Sequence, residues 1–311
     1  MGNSIAPLTN ITVPVFNRHD ETLETLAALR TRTKSPCILT VVDNGSAADL
    51  RGELLRLHAQ KLIDRLFILD RNYGVSCACN LGWRSVDAPF FMKVDNDIKP
   101  IADNWLERIY SAWGKYRYRS ITGPVWNCAS PHNRLDTPHG TLWSMPVSMS
   151  GEGLIVSRKI HEHIGYFSED YGLYGEEDAD YCLRCHHAGI RKFSYDASAL
   201  LERLDAGGHK YAEYGKAKVA AHNKNIGSTQ GGGIFPLNLF LYAQGVRALH
   251  VPLKYELKSM RGPYVEMRER EAYGAFFDAL SYCLELFTAS GKKPDAGTVE
   301  KMLAALSRVS I

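Results

Sequence analysis

No stretch of this chain of 311 residues approaches the roughly 20 consecutive apolar residues that a membrane-spanning helix requires. The most apolar run, Ile234 to Ala243, is short and carries Pro236 and Asn238. Met1 to Asn10 has no basic region followed by a long apolar segment, so no secretory leader is expected. The expected location is the cytoplasm, with peripheral docking at the inner face of a membrane left open. Cysteine is scarce and odd in number: seven, at positions 37, 77, 79, 128, 182, 185 and 283. These form no paired framework, and no second C-x-x-C completes a zinc site. A large excess of one charge is also missing. With 37 basic and 34 acidic residues the net charge is +3, and no run of Lys or Arg forms a basic stripe. Nucleic acid is therefore not an expected partner, and any anionic ligand must be met by local groups. Internal repeats and low-complexity tracts are absent, and the composition is that of a globular protein.

One short motif points elsewhere. Cys182-Leu-Arg-Cys185-His186 fits the C-x-x-C-H pattern of covalent haem attachment. Such haems are usually installed outside the cytoplasm, and a simpler reading is available. If residues 177–188 are helical, Cys182 and Cys185 share one face and serve as small apolar packing groups.

What the chain does have is alternation. Ile11–Phe16, Cys37–Val42, Leu66–Leu69 and Phe90–Val94 read as strands. Between them, residues 20–30, 50–57 and 75–86 read as helices, the first capped by Asp20. This order predicts βαβ units and a parallel sheet, whose ligands bind at the carboxyl ends of the strands. Those ends are polar: Asn17-Arg18, Asp43-Asn-Gly-Ser46, Asn72-Tyr-Gly74 and Asp95-Asn-Asp97. Any one of them is ordinary turn chemistry, but four on one edge suit a nucleotide and its phosphates. Asp95 and Asp97, two apart at a strand end, place both carboxylates on one side. Unpaired, they repel unless a cation lies between them, and oxygen donors favour Mg²⁺ or Mn²⁺.

The chain resembles family 2 glycosyltransferases. The resemblance is carried by Val13-Pro-Val-Phe-Asn-Arg18, Val41-Val-Asp-Asn-Gly-Ser46, Asn72-Tyr-Gly-Val-Ser-Cys-Ala-Cys-Asn-Leu-Gly82 and Val94-Asp-Asn-Asp97. Gly151-Glu-Gly-Leu-Ile-Val-Ser-Arg158 and Gly175-Glu-Glu-Asp-Ala-Asp-Tyr-Cys-Leu-Arg184 complete it. It implies the GT-A fold, an α/β architecture with a Rossmann-like, mostly parallel sheet flanked by helices, and an inverting, metal-dependent transfer from a UDP-, dTDP- or GDP-sugar. The acceptor implied is a hydroxyl of a glycan, a lipid-linked molecule or a protein, and a common setting is polysaccharide biosynthesis. By the same resemblance Asp43 lies by the base and ribose, and Pro14, Phe16, Asn17, Arg18, Asn72, Gly74, Asn80, Asp95 and Asn96 line the donor site. Asp95 and Asp97 hold the metal, with Asp97 the closer ligand. Asp178 is the general base, with Glu177 beside it.

Glu176 reads as an acidic residue meeting the helix dipole, and Asp180 as either that or an i, i+4 partner of Arg184. Where the family often has a third metal ligand, a His, this chain has Arg203, which could instead meet the diphosphate. His209 is the candidate substitute, with His222, Glu202 and Asp205 as alternatives. Trp126, Trp143 and Tyr174 are candidate acceptor contacts, the two tryptophans being equally readable as core. The expected organisation is a catalytic domain over 1–210, with a nucleotide-binding half over 1–100 and an acceptor half over 101–210. A mostly helical region over 211–311 follows, with Gly231–Gly233 as a hinge or loop and helices over 264–288 and 295–308. This tail could cover the donor site, form a homodimer or touch a membrane. The competing enzymatic reading, a nucleotidyltransferase, would normally show a Gly-rich loop after the first strand, and Phe16-Asn-Arg-His-Asp20 contains no glycine. A catalytically inactive nucleotide-sugar-binding protein is the reading from a different class.

Overall fold

A computed structural model describes residues 6–126, 133–146, 148–204, 212–227 and 233–309. Four parallel strands lead the fold: β1 (Thr9–Val15), β2 (Cys37–Asp43), β3 (Arg65–Leu69) and β4 (Phe90–Lys93). Helices α1 (His19–Arg32), α2 (Ala48–Ala59) and α3 (Val75–Arg84) connect them. Each strand was expected from its apolar run. The start of α1 differs: Arg18, not Asp20, is the N-cap residue, and Asp20 lies in the first helical turn.

β1 is buried along its whole length although it contains Pro14, a residue that cannot donate to a ladder. The Thr12 carbonyl accepts from Val94 N–H, on the β4 side, and the Val15 carbonyl accepts from Asn44 N–H, on the β2 side. Pro14 therefore faces β4, but two residues beyond Thr12, where the β1–β4 pairing has stopped. Its missing N–H costs no rung there. At Gly82 a Cβ would stand 2.4 Å from Thr12 Cγ2, so glycine lets α3 lie directly on β1.

The second half adds β5 (Ile98–Pro100), α4 (Trp105–Trp113), β6 (Ser120–Val125), β7 (Arg134–Thr137), β8 (Gly140–Ser144) and β9 (Ile155–Ser157). It continues with α5 (Arg158–Ile164), α6 (Glu177–His187), β10 (Arg191–Asp196) and β11 (Leu201–Arg203). The tail contributes α7 (Ala212–Ile226), α8 (Ile234–Ala243), β12 (Tyr255–Arg261), β13 (Tyr264–Glu269), α9 (Glu271–Ala289) and α10 (Ala296–Ser307). Among the described residues one mixed sheet runs β12-β13-β3-β2-β1-β4-β9-β6-β10-β8-β7, and β11 pairs with β5 in a small ribbon.

Alternation along the strands divides the core. Ile11, Val13, Val15, Phe90 and Met92 pack with α1, α2 and α4 on one face. Phe91 joins Trp83 of α3, Ile160 and Ile164 of α5, and Tyr181, Cys182 and Cys185 of α6 on the other. Both cysteines are thus packing groups in an aromatic and aliphatic layer. Burial pushes the Cys182 thiol up to about 12, far from the thiolate that a reactive sulfur requires.

The tail departs from expectation. Residues 264–288 are not one helix: Tyr264–Glu269 is a strand, and α9 starts at Glu271. Val265 and Met267 are buried with period two, and Ile68 N–H donates to the Pro263 carbonyl, so the hairpin β12–β13 extends the sheet beyond β3. In α10 Met302 is buried, whereas its neighbour Leu303 is exposed. Gly233 caps α8, and a Cβ there would stand 2.2 Å from the Asn225 carbonyl oxygen. Its role is close approach to the end of α7; Gly231 and Gly232 lie outside the described residues.

Candidate active site

The carboxyl ends of β1, β2, β3 and β4 open onto one cleft. Pro14, Phe16 and Arg18 line it from β1, Asn44 from β2, Asn72 from β3, and Lys93, Asp95, Asn96 and Asp97 from β4. Ser150–Glu152, Tyr174, Glu177 and Asp178 complete its lining. The loops are stitched together before any ligand arrives. Asn44 Nδ2 donates to Asn72 Oδ1 at 2.9 Å and to the Gly74 carbonyl at 3.1 Å, while its Oδ1 accepts from Tyr73 N–H at 2.9 Å.

Several expected residues support the cleft without lining it. Asp43 is fully buried; its Oδ1 accepts from Ser46 N–H at 2.9 Å and its Oδ2 faces Arg51. Asn17 braces two turns: its N–H donates to Ser46 Oγ and its Oδ1 accepts from Ala47 N–H. Gly74 has φ +93, and a Cβ there would fall 2.2 Å from the Gly172 carbonyl oxygen, so only glycine fits. Asn80 is buried, donating to the Phe167 carbonyl and Glu169. Trp143 is a buried residue of β8. Trp126 stands behind the rim, where its Nε1–H donates to Glu152 at 2.6 Å and Arg203 lies 4.6 Å above its ring. Arg203 itself pairs with Glu152. His209 and Asp205 lie outside the described residues, and His222 instead pairs with Glu176 at 2.7 Å.

The two β4 aspartates are not the unpaired carboxylates expected from the sequence. Lys93 Nζ is 2.5 Å from Asp95 Oδ1, and Arg18 pairs with Asp97. Lys93 was missed, yet its signal was there: a lone cation in the apolar strand Phe-Phe-Met-Lys. Strand alternation puts it on the Phe91 face, where α6 begins, and its charge favours ionisation of both Glu177 and Asp178.

The start of α6 is built around a left-handed N-cap, Glu176 at φ 70. Asp178 Oδ2 accepts from Gly151 N–H at 2.9 Å and Oδ1 accepts from Ala179 N–H at 2.8 Å, which fixes the carboxylate plane. Glu177 is deeper, and its Oε2 turns back to accept from Gly175 N–H at 3.1 Å. Burial raises both acids. Glu177 rises to about 7, with Asp178 adding to the effect and Lys93 opposing it. Asp178 rises less freely, because Lys93 and its two N–H donors favour the anion. Tyr174 is pushed up to about 12 by burial and by Glu177, so its hydroxyl keeps its proton.

Loop 171–175 and α6 are tied to the tail. Asn225 of α7 donates from Nδ2 to the carbonyls of Tyr171, Tyr174 and Gly175 at 3.0, 3.1 and 3.2 Å. Asp180 pairs with Arg184 at 2.7 Å, as one sequence reading allowed, and also accepts from Tyr171 and from Tyr242 of α8. Arg247 pairs with Asp170 at 2.5 Å and donates to Asn238 of α8, whose Nδ2 donates to Tyr171.

The glycosyl transferase family 2 model matches residues 10–172, more than half of the chain. The chain belongs to that family. No curated protein matches it in sequence. Among solved structures, the mannosyltransferase PcManGT from Pyrobaculum calidifontis, in complex with GDP-Man and Mn²⁺, is 15% identical, with a TM-score of 0.53. That match covers 98% of this chain and 88% of the other. GalNAc-T7, solved with UDP, GalNAc and Mn²⁺, is 14% identical at a TM-score of 0.56, over 65% of this chain and 45% of that one. A structure of S. aureus TarS 1-349 is 12% identical at 0.50, over 96% and 90%. This family 2 chain thus spans less than half the length of GalNAc-T7. These likenesses establish the fold, which is GT-A with helices added at the carboxyl end.

The cleft supplies two carboxylates of the kind a divalent metal uses. Among the described residues no three His, Cys, Asp or Glu side chains gather into a cage. Asp95 and Asp97 offer carboxylate oxygens on one wall, the donor set Mg²⁺ or Mn²⁺ uses when substrate phosphates and water complete its shell.

Proposed function

We propose that the chain is an inverting glycosyltransferase that moves a sugar from a nucleoside-diphosphate donor to an acceptor hydroxyl. Asp178 is its general base. The observation that carries this reading is that two acidic sets line one cleft: Asp95 and Asp97 just after β4, Glu177 and Asp178 at the start of α6. The donor lies along Pro14–Arg18, Asn44 and Asn72, at the carboxyl edge of the sheet. Asp95 and Asp97 would hold the metal, which when bound supplies Lewis-acid stabilisation of the departing diphosphate.

The acceptor O–H loses its proton to Asp178 as its oxygen bonds to the anomeric carbon. The bond from that carbon to the diphosphate oxygen breaks on the opposite face, and its electron pair leaves with the diphosphate. Asp178 suits this role better than Glu177: it is the more exposed of the two, and its plane is set by two backbone donors. A positioned base is worth about 10²–10⁴ in rate. Glu177 and Tyr174 shape the site around it. Among the described residues no helix is long and apolar enough to cross a membrane. Peripheral membrane contact or pairing of two copies would use apolar side chains that α9 and α10 leave exposed, such as Tyr282 and Leu303.

The test is donor binding followed by transfer. Thermal unfolding is measured with UDP, GDP, dTDP and CMP, each with and without Mn²⁺. A ligand at 100 times its Kd adds about 2.7 kcal/mol. A metal-dependent rise with one nucleotide is expected. Asp178→Ala is expected to retain that rise and to lose transfer by at least 100-fold. Transfer within tenfold of wild type removes Asp178 as the base, and no rise with any nucleotide removes the donor site.

A further inference from the structure

Asn17 and Arg18, two successive residues with side chains, hold positive φ angles of 55° and 59°. Asparagine tolerates this region through local hydrogen bonds, whereas arginine gains nothing from it. The conformation is imposed from outside. Besides the bonds from Asn17 to Ser46 and Ala47, its carbonyl accepts from Asn96 Nδ2 at 3.1 Å and from Thr22 Oγ1 at 3.2 Å. What this turn achieves is the direction of one side chain. Arg18 crosses the cleft to Asp97, 79 residues away in sequence. Strain maintained by so many partners is typical of functional positions.

We propose that Arg18 is a place-holding cation: it occupies Asp97 in the free enzyme, then yields Asp97 to the divalent metal and turns to the donor's diphosphate. This deepens the function proposed above and rests on it. Three observations support it. Arg18, Asp95 and Asp97 all line the same cleft, so the exchange needs only a change of side-chain direction. Lys93, the other cation among the described lining residues, is buried in the sheet and committed to Asp95, while Arg18 reaches in from a loop on a long stem. Its planar fork also matches a diphosphate in a way an ammonium does not. Charge supports the exchange as well. Asp95, Asp97, Lys93 and Arg18 together sum to zero, and a divalent cation with a nucleotide-sugar diphosphate adds two charges of each sign. The partners change while the net charge of the cleft does not. Among the described residues that line the cleft, Lys93 is the cation that would remain beside Asp95, Asp97, Glu177 and Asp178 without Arg18.

The test uses Mn²⁺ alone, followed by electron paramagnetic resonance on the metal-free full chain. Wild type is compared with Arg18→Gly, which also relaxes the turn, and with Arg18→Met and Arg18→Lys. With the Arg18 side chain no longer competing for Asp97, the Gly and Met variants are expected to bind Mn²⁺ at least threefold more tightly than wild type. At saturating Mn²⁺ the same two variants are expected to bind UDP, GDP or dTDP, whichever wild type takes, at least tenfold more weakly. Arg18→Lys is expected to fall between in both. Equal or weaker Mn²⁺ binding by both the Gly and Met variants overturns the place-holding role. Unchanged nucleotide binding overturns the turn toward the diphosphate. If wild type binds Mn²⁺ but none of UDP, GDP and dTDP, the donor reading fails, and the Mn²⁺ comparison still decides the competition at Asp97.

Discussion

Replacing Asp180 by alanine leaves the Arg184 guanidinium sealed in the protein without its counter-charge. Both side chains are fully buried and 2.7 Å apart. Arg184 keeps the Ile164 and Tyr166 carbonyls at 2.6 and 2.8 Å for its two Nη groups, but its Nε–H loses the Asp180 acceptor and its charge goes unbalanced. The hydroxyls of Tyr171 and Tyr242 lose an acceptor as well. Breaking a buried pair by removing one partner costs about 3–5 kcal/mol. At roughly 2.1 cal/mol/K of unfolding entropy per residue, a chain of this length loses about 1.5 °C of Tm per kcal/mol. Thermal unfolding by circular dichroism at pH 7 should therefore fall by roughly 5–8 °C. Replacing both members by apolar residues of similar size, Asp180→Leu with Arg184→Met, should recover most of that loss, because desolvation offsets much of what such a pair contributes. A single-variant loss under 2 °C, or a double variant worse than the single, would show that the pair is not what holds α6.

The raised acid pair predicts a pH effect. A carboxylate whose folded pKa lies above its unfolded value gives stability that is full below about 4.5 and lost as pH rises through about 7. Glu177→Gln should therefore unfold at a higher temperature than wild type at pH 8 and close to it at pH 5. An equal Tm difference at both pH values refutes this account. Gly74→Ala forces a Cβ toward the Gly172 carbonyl at an unfavourable φ. It should cost more than about 2 kcal/mol in thermal unfolding and weaken nucleotide affinity, because loop 171–175 carries Tyr174.

The sequence revealed the parts of this molecule whose signals are local. Four apolar runs gave four strands, and the polar residues that follow them gave the edge on which the cleft opens. Asp95 and Asp97 were legible because period two fixes their side of the chain. Their partners were not, because Arg18 reaches Asp97 from 79 residues away and no periodicity encodes such a pair. Lys93 could have been found by asking which face of a buried strand a lone lysine occupies. The hairpin over 255–269 was hidden for another reason. The alternation of Tyr264–Glu269 runs into the helical pattern of α9 with only Arg270 between them, so the two periods blurred into one helix. Asp43 illustrates a third limit: a carboxylate in a turn can face a ligand or its own backbone, and only the fold shows Ser46 N–H as its partner.

Asn225, Asn238, Arg247 and Tyr273 all follow position 210, yet each bonds to a residue between 170 and 175. This bears on how the enzyme can be engineered. A chimera joining residues 1–210 to the tail of another transferase would strip Asp170 of its counter-ion and the 171–175 carbonyls of their shared donor. For tail swaps, those four residues must travel with the catalytic half.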